Sequence, residues 1–260
     1  MDKAQRIYQG HDGSISSLRE LNRNKLVSSS WDKTLKVWNI NKDSLTPIKT
    51  LEGHNNGVFQ AIPLTKDTIA SGSEDKTIRI WNINTYKTEL HTLQEDFDVC
   101  SLIKLKNKDE MVSGGGGGNS VSFWNIKTFT KVHSVECCYC WSYNGIIELP
   151  NNHIAVSGGY SSTIDVIDIM KYQRVKQIEC EDYIARGGWY SSLHLLSNGT
   201  FIYSHDHCFC QISSTTYEVL YKDKKEKEFG GEAMTSTSNG KYIIADNWNK
   251  SISIFKVDYI

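Results

Sequence analysis

No apolar run in this chain is long enough to cross a bilayer, and neither sign of charge predominates. Lysine and arginine number 29 against 30 aspartates and glutamates. No net field therefore draws the molecule to nucleic acid or to an anionic membrane, and neither is expected as a partner. The opening Met1-Asp2-Lys3-Ala4-Gln5-Arg6 lacks the apolar stretch of a secretory signal. The seven cysteines are odd in number and clustered, not spaced like a disulfide framework. A reducing compartment is expected, the cytoplasm or alternatively the nucleus. No segment sustains a 3.6-residue period, which argues against helices.

What the chain has is a repeat. Trp38-Asn39-Ile40, Trp81-Asn82-Ile83 and Trp124-Asn125-Ile126 recur every 43 residues. Further steps of 43 reach Ile167-Asp168-Ile169 and Cys210-Gln211-Ile212, and a sixth unit ends at Phe255-Lys256-Val257 after 45. No linker separates the units, so residues 1–260 are read as one domain. Each unit reads as four short strands. In the second these are Val58 to Leu64, Thr68 to Gly72, Thr77 to Ile83 and Thr88 to Leu93, separated by turn formers such as Ser73-Glu74-Asp75.

Gly10-His11 and Gly53-His54 precede Ser30-Trp31-Asp32-Lys33-Thr34 and Ser73-Glu74-Asp75-Lys76-Thr77, and each unit closes on Trp-Asn. In these motifs the chain resembles the WD40-repeat family. The likeness runs over roughly residues 5–257 and is strongest in the first two units. It implies an all-β propeller with one four-stranded sheet per blade. It also implies a buried chain of hydrogen bonds through Trp38, Ser28, His11 and Asp32, and a second through Trp81, Ser71, His54 and Asp75. An indole N–H needs a partner when buried, a serine hydroxyl can accept and donate onward, and the aspartate fixes the histidine tautomer. The third unit keeps Ser113 and Trp124. The fourth keeps Ser157 with Ile167 in the tryptophan position, the fifth puts Cys210 there, and the sixth has Ala245, Asn249 and Phe255. Apolar packing is expected to hold these later blades.

The whole is read as a six-bladed WD40-type β-propeller closed by its N-terminal strand. Residues 5–9 read as a lone outer strand, and the last unit, 231–257, has no outer strand of its own. Pairing the two removes the open edges. The alternatives are an open ring that a partner completes and a fragment of a longer protein.

Several features look like chemistry. Ser28, His11 and Asp32 match a hydrolase triad in type, but the same set recurs one period later with a tryptophan attached, so a structural network is expected. Gly114–Gly118 lacks the Lys-Ser or Lys-Thr of a phosphate loop and is read as a hairpin turn. The clusters Cys137-Cys138-Tyr139-Cys140 and His205-Asp206-His207-Cys208-Phe209-Cys210 match no standard zinc spacing. No catalytic residue, metal, cofactor or small-molecule substrate is expected, and Lys222–Glu228 is read as a solvated loop.

Binding is expected where loops cluster on a rigid scaffold. The residue before each turn aspartate projects from one rim: Trp31, Glu74, Tyr160 and Trp248. Near the first strands lie Phe59, Trp141 and Trp189, with Arg186 in the same loop as Trp189. Aromatic residues and arginine dominate interface hot spots. These eight residues form the expected partner-binding set of a protein or peptide adaptor. The rival reading is a structural subunit that uses the edge or sides of the ring.

Overall fold

The computed structural model describes residues 10–22, 24–41, 44–85, 89–138, 145–158, 163–180, 191–196, 198–205, 208–224, 231–236, 241–246 and 251–256. Among them every element is a strand. Sheet 1 holds β1 (Ile15–Asn22), β2 (Lys25–Ser30), β3 (Leu35–Asn41) and β4 (Ser44–Leu51). Sheet 2 holds β5 (Val58–Pro63), β6 (Thr68–Ser73), β7 (Thr77–Asn82) and β8 (Glu89–Gln94). Sheet 3 holds β9 (Asp98–Lys104), β10 (Glu110–Gly116), β11 (Ser120–Asn125) and β12 (Lys131–Glu136). Sheet 4 holds β13 (Ile146–Glu148), β14 (His153–Ser157), β15 (Thr163–Asp168) and β16 (Gln173–Glu179). Sheet 5 holds β17 (Ser191–Leu195), β18 (Thr200–His205), β19 (Cys208–Ser213) and β20 (Val219–Lys224). The last sheet holds β21 (Gly231–Ser236), β22 (Lys241–Asp246) and β23 (Ser251–Lys256). Each sheet is an antiparallel meander in chain order. Residues 5–9, the expected closing strand, lie outside the described residues.

The chain divides into two compact units, Met1–Glu95 with sheets 1 and 2, and Asp96–Ile260 with the rest. Within each unit sheets stack face to face, first strand toward first strand: β1 meets β5 in one, and β9, β13, β17 and β21 meet in succession in the other. A sheet covered on both faces needs apolar residues at successive positions, not in strict alternation. Sheet 4 shows this. Ile146, Ile154, Val156 and Ile167 face Val112, Val121 and Phe123 of sheet 3. Ala155, Ile164, Val166 and Ile178 face Leu193, Phe201 and Ile212 of sheet 5. In the first unit Val27, Leu35, Val37 and Leu51 pack on Val58, Ala61, Ile69 and Trp81.

One irregularity recurs. The ladder between the third and fourth strands slips at Val37/Trp38, Ile80/Trp81, Phe123/Trp124, Val166/Ile167 and Gln211/Ile212. This bulge marks the tryptophan position of each four-stranded sheet, and it corrects two expectations. In sheet 5 the position belongs to Ile212. Cys210 lies two residues earlier, opposite Tyr203. In sheet 4 the residue opposite Asp165, where Ser28 stands opposite Lys36, is Val156 and not Ser157. Ser157 instead bonds the Ser191 hydroxyl at 2.9 Å.

The glycine run is also not a turn. Gly114, Gly115 and Gly116 are buried in β10 and paired with β9. A Cβ on Gly115 would stand 1.6 Å from the Asp98 carbonyl oxygen, so the close approach of β9 requires glycine there. Only Gly117, with φ +88°, takes the left-handed turn conformation.

Candidate functional site

The hairpins β2–β3 and β6–β7 are built alike. Each ends in a serine whose hydroxyl accepts the amide of the turn aspartate at 3.1 Å, Ser30 for Asp32 and Ser73 for Asp75. The next residue, Lys33 or Lys76, takes positive φ, 73° and 63°. The aspartate then accepts from the amide and hydroxyl of the following threonine, Thr34 at 3.0 and 2.7 Å and Thr77 at 3.0 and 2.6 Å.

The second carboxylate oxygen reaches the histidine. Asp32 Oδ2 lies 2.7 Å from His11 Nδ1, and Asp75 Oδ2 2.9 Å from His54 Nδ1. The far imidazole nitrogen meets a serine hydroxyl at 2.7 Å in both sheets, Ser28 and Ser71. The Trp38 and Trp81 indoles donate to those hydroxyls at 2.8 and 2.7 Å. All eight residues thus lie in two matching buried chains. The preceding glycines belong to them. A Cβ on Gly10 would stand 2.2 Å from the Trp38 ring, and one on Gly53 3.2 Å from that of Trp81. Burial pushes the Asp32 carboxyl up, but the bonds from Thr34, His11 and the Asp12 amide outweigh it and lower its pKa from 3.8 to about 2. Asp75 is lowered further by the same balance, burial opposed chiefly by His54 and Thr77. A serine held between an indole and an imidazole in the core is a brace for the strand order, with no access for a substrate.

Sheet 3 keeps the tryptophan end, Trp124 Nε1 donating to Ser113 at 2.9 Å. Sheet 4 replaces the chain with a different polar device, where apolar packing alone was expected. Asp165, fully buried, accepts the Cys138 amide at 2.5 Å and the Gln177 side-chain amide at 3.0 Å. Among the described residues no three histidine, cysteine, aspartate or glutamate side chains converge as a metal would need.

Of the expected binding residues, Trp31, Phe59 and Glu74 are described; Trp141, Tyr160, Arg186, Trp189 and Trp248 lie outside the described residues. Trp31 is 44% exposed. Its ring meets Phe59 edge to face, centroids 5.3 Å apart at 85°. Phe59 itself is 2% exposed, so it supports Trp31 and offers no surface of its own. Gly57 makes the room: a Cβ there would lie 2.7 Å from Trp31 Cε3. Glu74 is tied to the same glycine, its amide donating to the Gly57 carbonyl at 3.0 Å. Gly57 and Asp12, which flank this platform, carry no motif signal, and the repeat alone could not have singled them out.

Stacked four-stranded meanders braced by histidine, serine, tryptophan and aspartate define a class of β repeat protein. Residues 2–39 and 45–82 each match the family model described as WD domain, G-beta repeat, so the chain carries two repeats of the WD40 type. No curated protein matches it in sequence. Among solved structures 1507 chains resemble it in fold, which makes the fold too widespread to name a task. One, a chain of the crystal structure of a mitotic checkpoint complex, has a TM-score of 0.79 over 96% of this chain and 76% of that one, at 15% identity. At that identity the likeness shows the fold, sheets consistent with a WD40 propeller.

Proposed function

We propose that the chain is a non-enzymatic scaffold or adaptor that binds a protein or peptide on the face where the β2–β3 and β6–β7 hairpins end. One observation carries this reading: a tryptophan at a hairpin tip, nearly half exposed yet fixed by Phe59 below it. A large rigid aromatic ring at the surface binds at little entropic cost, as hot-spot residues do. Trp141, Tyr160, Arg186, Trp189 and Trp248 extend the same face in this reading, Glu74 adds polar selectivity, and the reducing interior of the cell is its setting. The test replaces Trp31 and Trp248 by alanine and measures partner capture from native lysate by quantitative mass spectrometry. Loss of specific partners with the fold intact is expected; unchanged capture overturns the site.

The reading includes a six-bladed ring whose last blade, β21–β23, is completed by residues 5–9. The leading face of sheet 1 supports it. Ile15 and Leu18 on β1 are 53% and 58% exposed, while Val58 and Ala61, their counterparts on β5, are at 0%. An apolar face of this kind calls for a covering sheet. The same face favours one second reading, a structural subunit in which another protein supplies the cover.

A further inference from the structure

With Trp31 taken as a binding residue, the hairpin platform has a chemistry more specific than a generic apolar anchor. The indole is held on its inner side. Its Cε3 side lies against Gly57, and Phe59 meets it from below. At 44% exposure the ring keeps π surface in solvent, and that surface attracts cations. Two acidic residues have their backbone beside it. Glu74 adjoins Gly57, the glycine that Trp31 rests on. On the other side runs the loop Asp12-Gly13-Ser14. The Trp31 amide donates to the Ser14 carbonyl at 3.0 Å, and a Cβ on Gly13 would lie 3.2 Å from the Trp31 carbonyl carbon. Among the described residues neither the Asp12 nor the Glu74 carboxylate has a hydrogen-bond or ion-pair partner. Asp32, the third acid nearby, is consumed by His11 and Thr34. The cations of the two turns, Lys33 and Lys76, stand at the left-handed position beyond each aspartate.

We infer that Trp31, Asp12 and Glu74 together receive a basic side chain of the bound polypeptide, and that arginine is the residue that fits; this rests on the adaptor reading of the same face. A guanidinium is planar and weakly hydrated, so it can stack on the indole while its N–H groups point outward to a carboxylate. Lysine satisfies the charge but not the stacking. The residues involved come from consecutive repeats. Trp31 and Glu74 occupy the same position one period apart, so the site exists only where two hairpins of different sequence stand side by side.

The experiment uses acetyl-arginine methylamide as the probe and acetyl-citrulline methylamide, its neutral near-isostere, as the control. Each is titrated into the full ¹⁵N-labelled chain while the Trp31 indole N–H resonance is followed, assigned through Trp31→Phe. Arginine is expected to move that resonance saturably and citrulline not. Glu74→Gln and Asp12→Asn are each expected to weaken binding by roughly two- to fivefold, the range of an exposed charge pair, and added salt to weaken it further. Equal response to citrulline, or unchanged affinity in both variants, overturns the inference. The two proposals fail separately. If Trp31→Ala loses partner capture while Glu74→Gln and Asp12→Asn keep it, the platform binds but not through arginine. If the probe binds as expected and Trp31→Ala captures the same partners as the native chain, the pocket recognises arginine but the adaptor reading of this face is wrong.

Discussion

Ser71 serves two bonds with one hydroxyl, accepting from the Trp81 indole and meeting His54 Nε2, both at 2.7 Å. Ser71→Ala removes neither ring but strands a nitrogen of each in a buried site. Each orphaned polar group costs about 1–3 kcal/mol. A loss of roughly 2–4 kcal/mol is therefore expected, read as a lower urea midpoint with unchanged slope. A change within error would mean that the network is ornamental. The aspartates add a pH dependence whose sign is set by their direction. The Asp32 carboxyl is lowered from 3.8 to about 2 in the folded chain. Its stabilising effect is complete above the unfolded value and is lost as pH falls from about 4 toward about 2. Stability measured across that interval should fall less steeply in Asp32→Asn than in the native chain. Parallel curves would show that the carboxylate is not linked to folding.

Elements were legible in the sequence to the extent that their hairpins kept one length. The period of 43 marks tryptophan, serine, histidine and aspartate in sheets 1 and 2 because those hairpins are identical in build. Sheet 5 has a short hairpin, with His205 paired directly to Cys208, but more residues before it: Ile212 lies 45 residues after Ile167, and a step of 43 lands on Cys210 instead. Nothing in the letters shows the slip, because a buried cysteine and a buried isoleucine both suit a core strand. The glycines misled for a different reason. Turn preference and close backbone approach select the same residue, and only the packing of β9 on β10 tells them apart. Two substitutions separate these roles. Gly115→Ala should cost more than about 3 kcal/mol or abolish folding, since a backbone carbonyl blocks the methyl group. Gly117→Ala, with open space around it, should cost only about 1 kcal/mol for its positive φ. Equal losses would refute the assignment. The outer strands carry a signal that periodicity did not reveal. Ile48, Leu90, Val132, Val175 and Leu220 each occupy the bulge and are 40% or more exposed. A bulge with a protruding aliphatic side chain breaks the flush ladder that a second chain would need for edge pairing.

At the scale of the molecule the question is what covers sheet 1. Sheet 2 buries Val58, Ala61 and Ile83 against its neighbour, and the same three positions in sheet 1 are Ile15, Leu18 and Ile40, exposed by 53%, 58% and 38%. Each full burial of such a side chain is worth about 1.5–3 kcal/mol, so a folded chain gains by covering the face. In the proposed closed ring β21–β23 and residues 5–9 would supply the cover from within; in the rival reading a partner sheet would supply it from outside. Leu18→Asp distinguishes them. If the chain closes on itself, the substitution buries a carboxylate and lowers the stability of the isolated protein by about 3 kcal/mol or more, with a matching loss of amide protection in β1. If the cover comes from a partner, the isolated chain keeps its stability, and only the assembly weakens. Deleting residues 1–9 adds an independent arm. It should open the closed form, raising hydrogen exchange in β23 and β1 together, whereas a chain sealed by a partner would exchange as before.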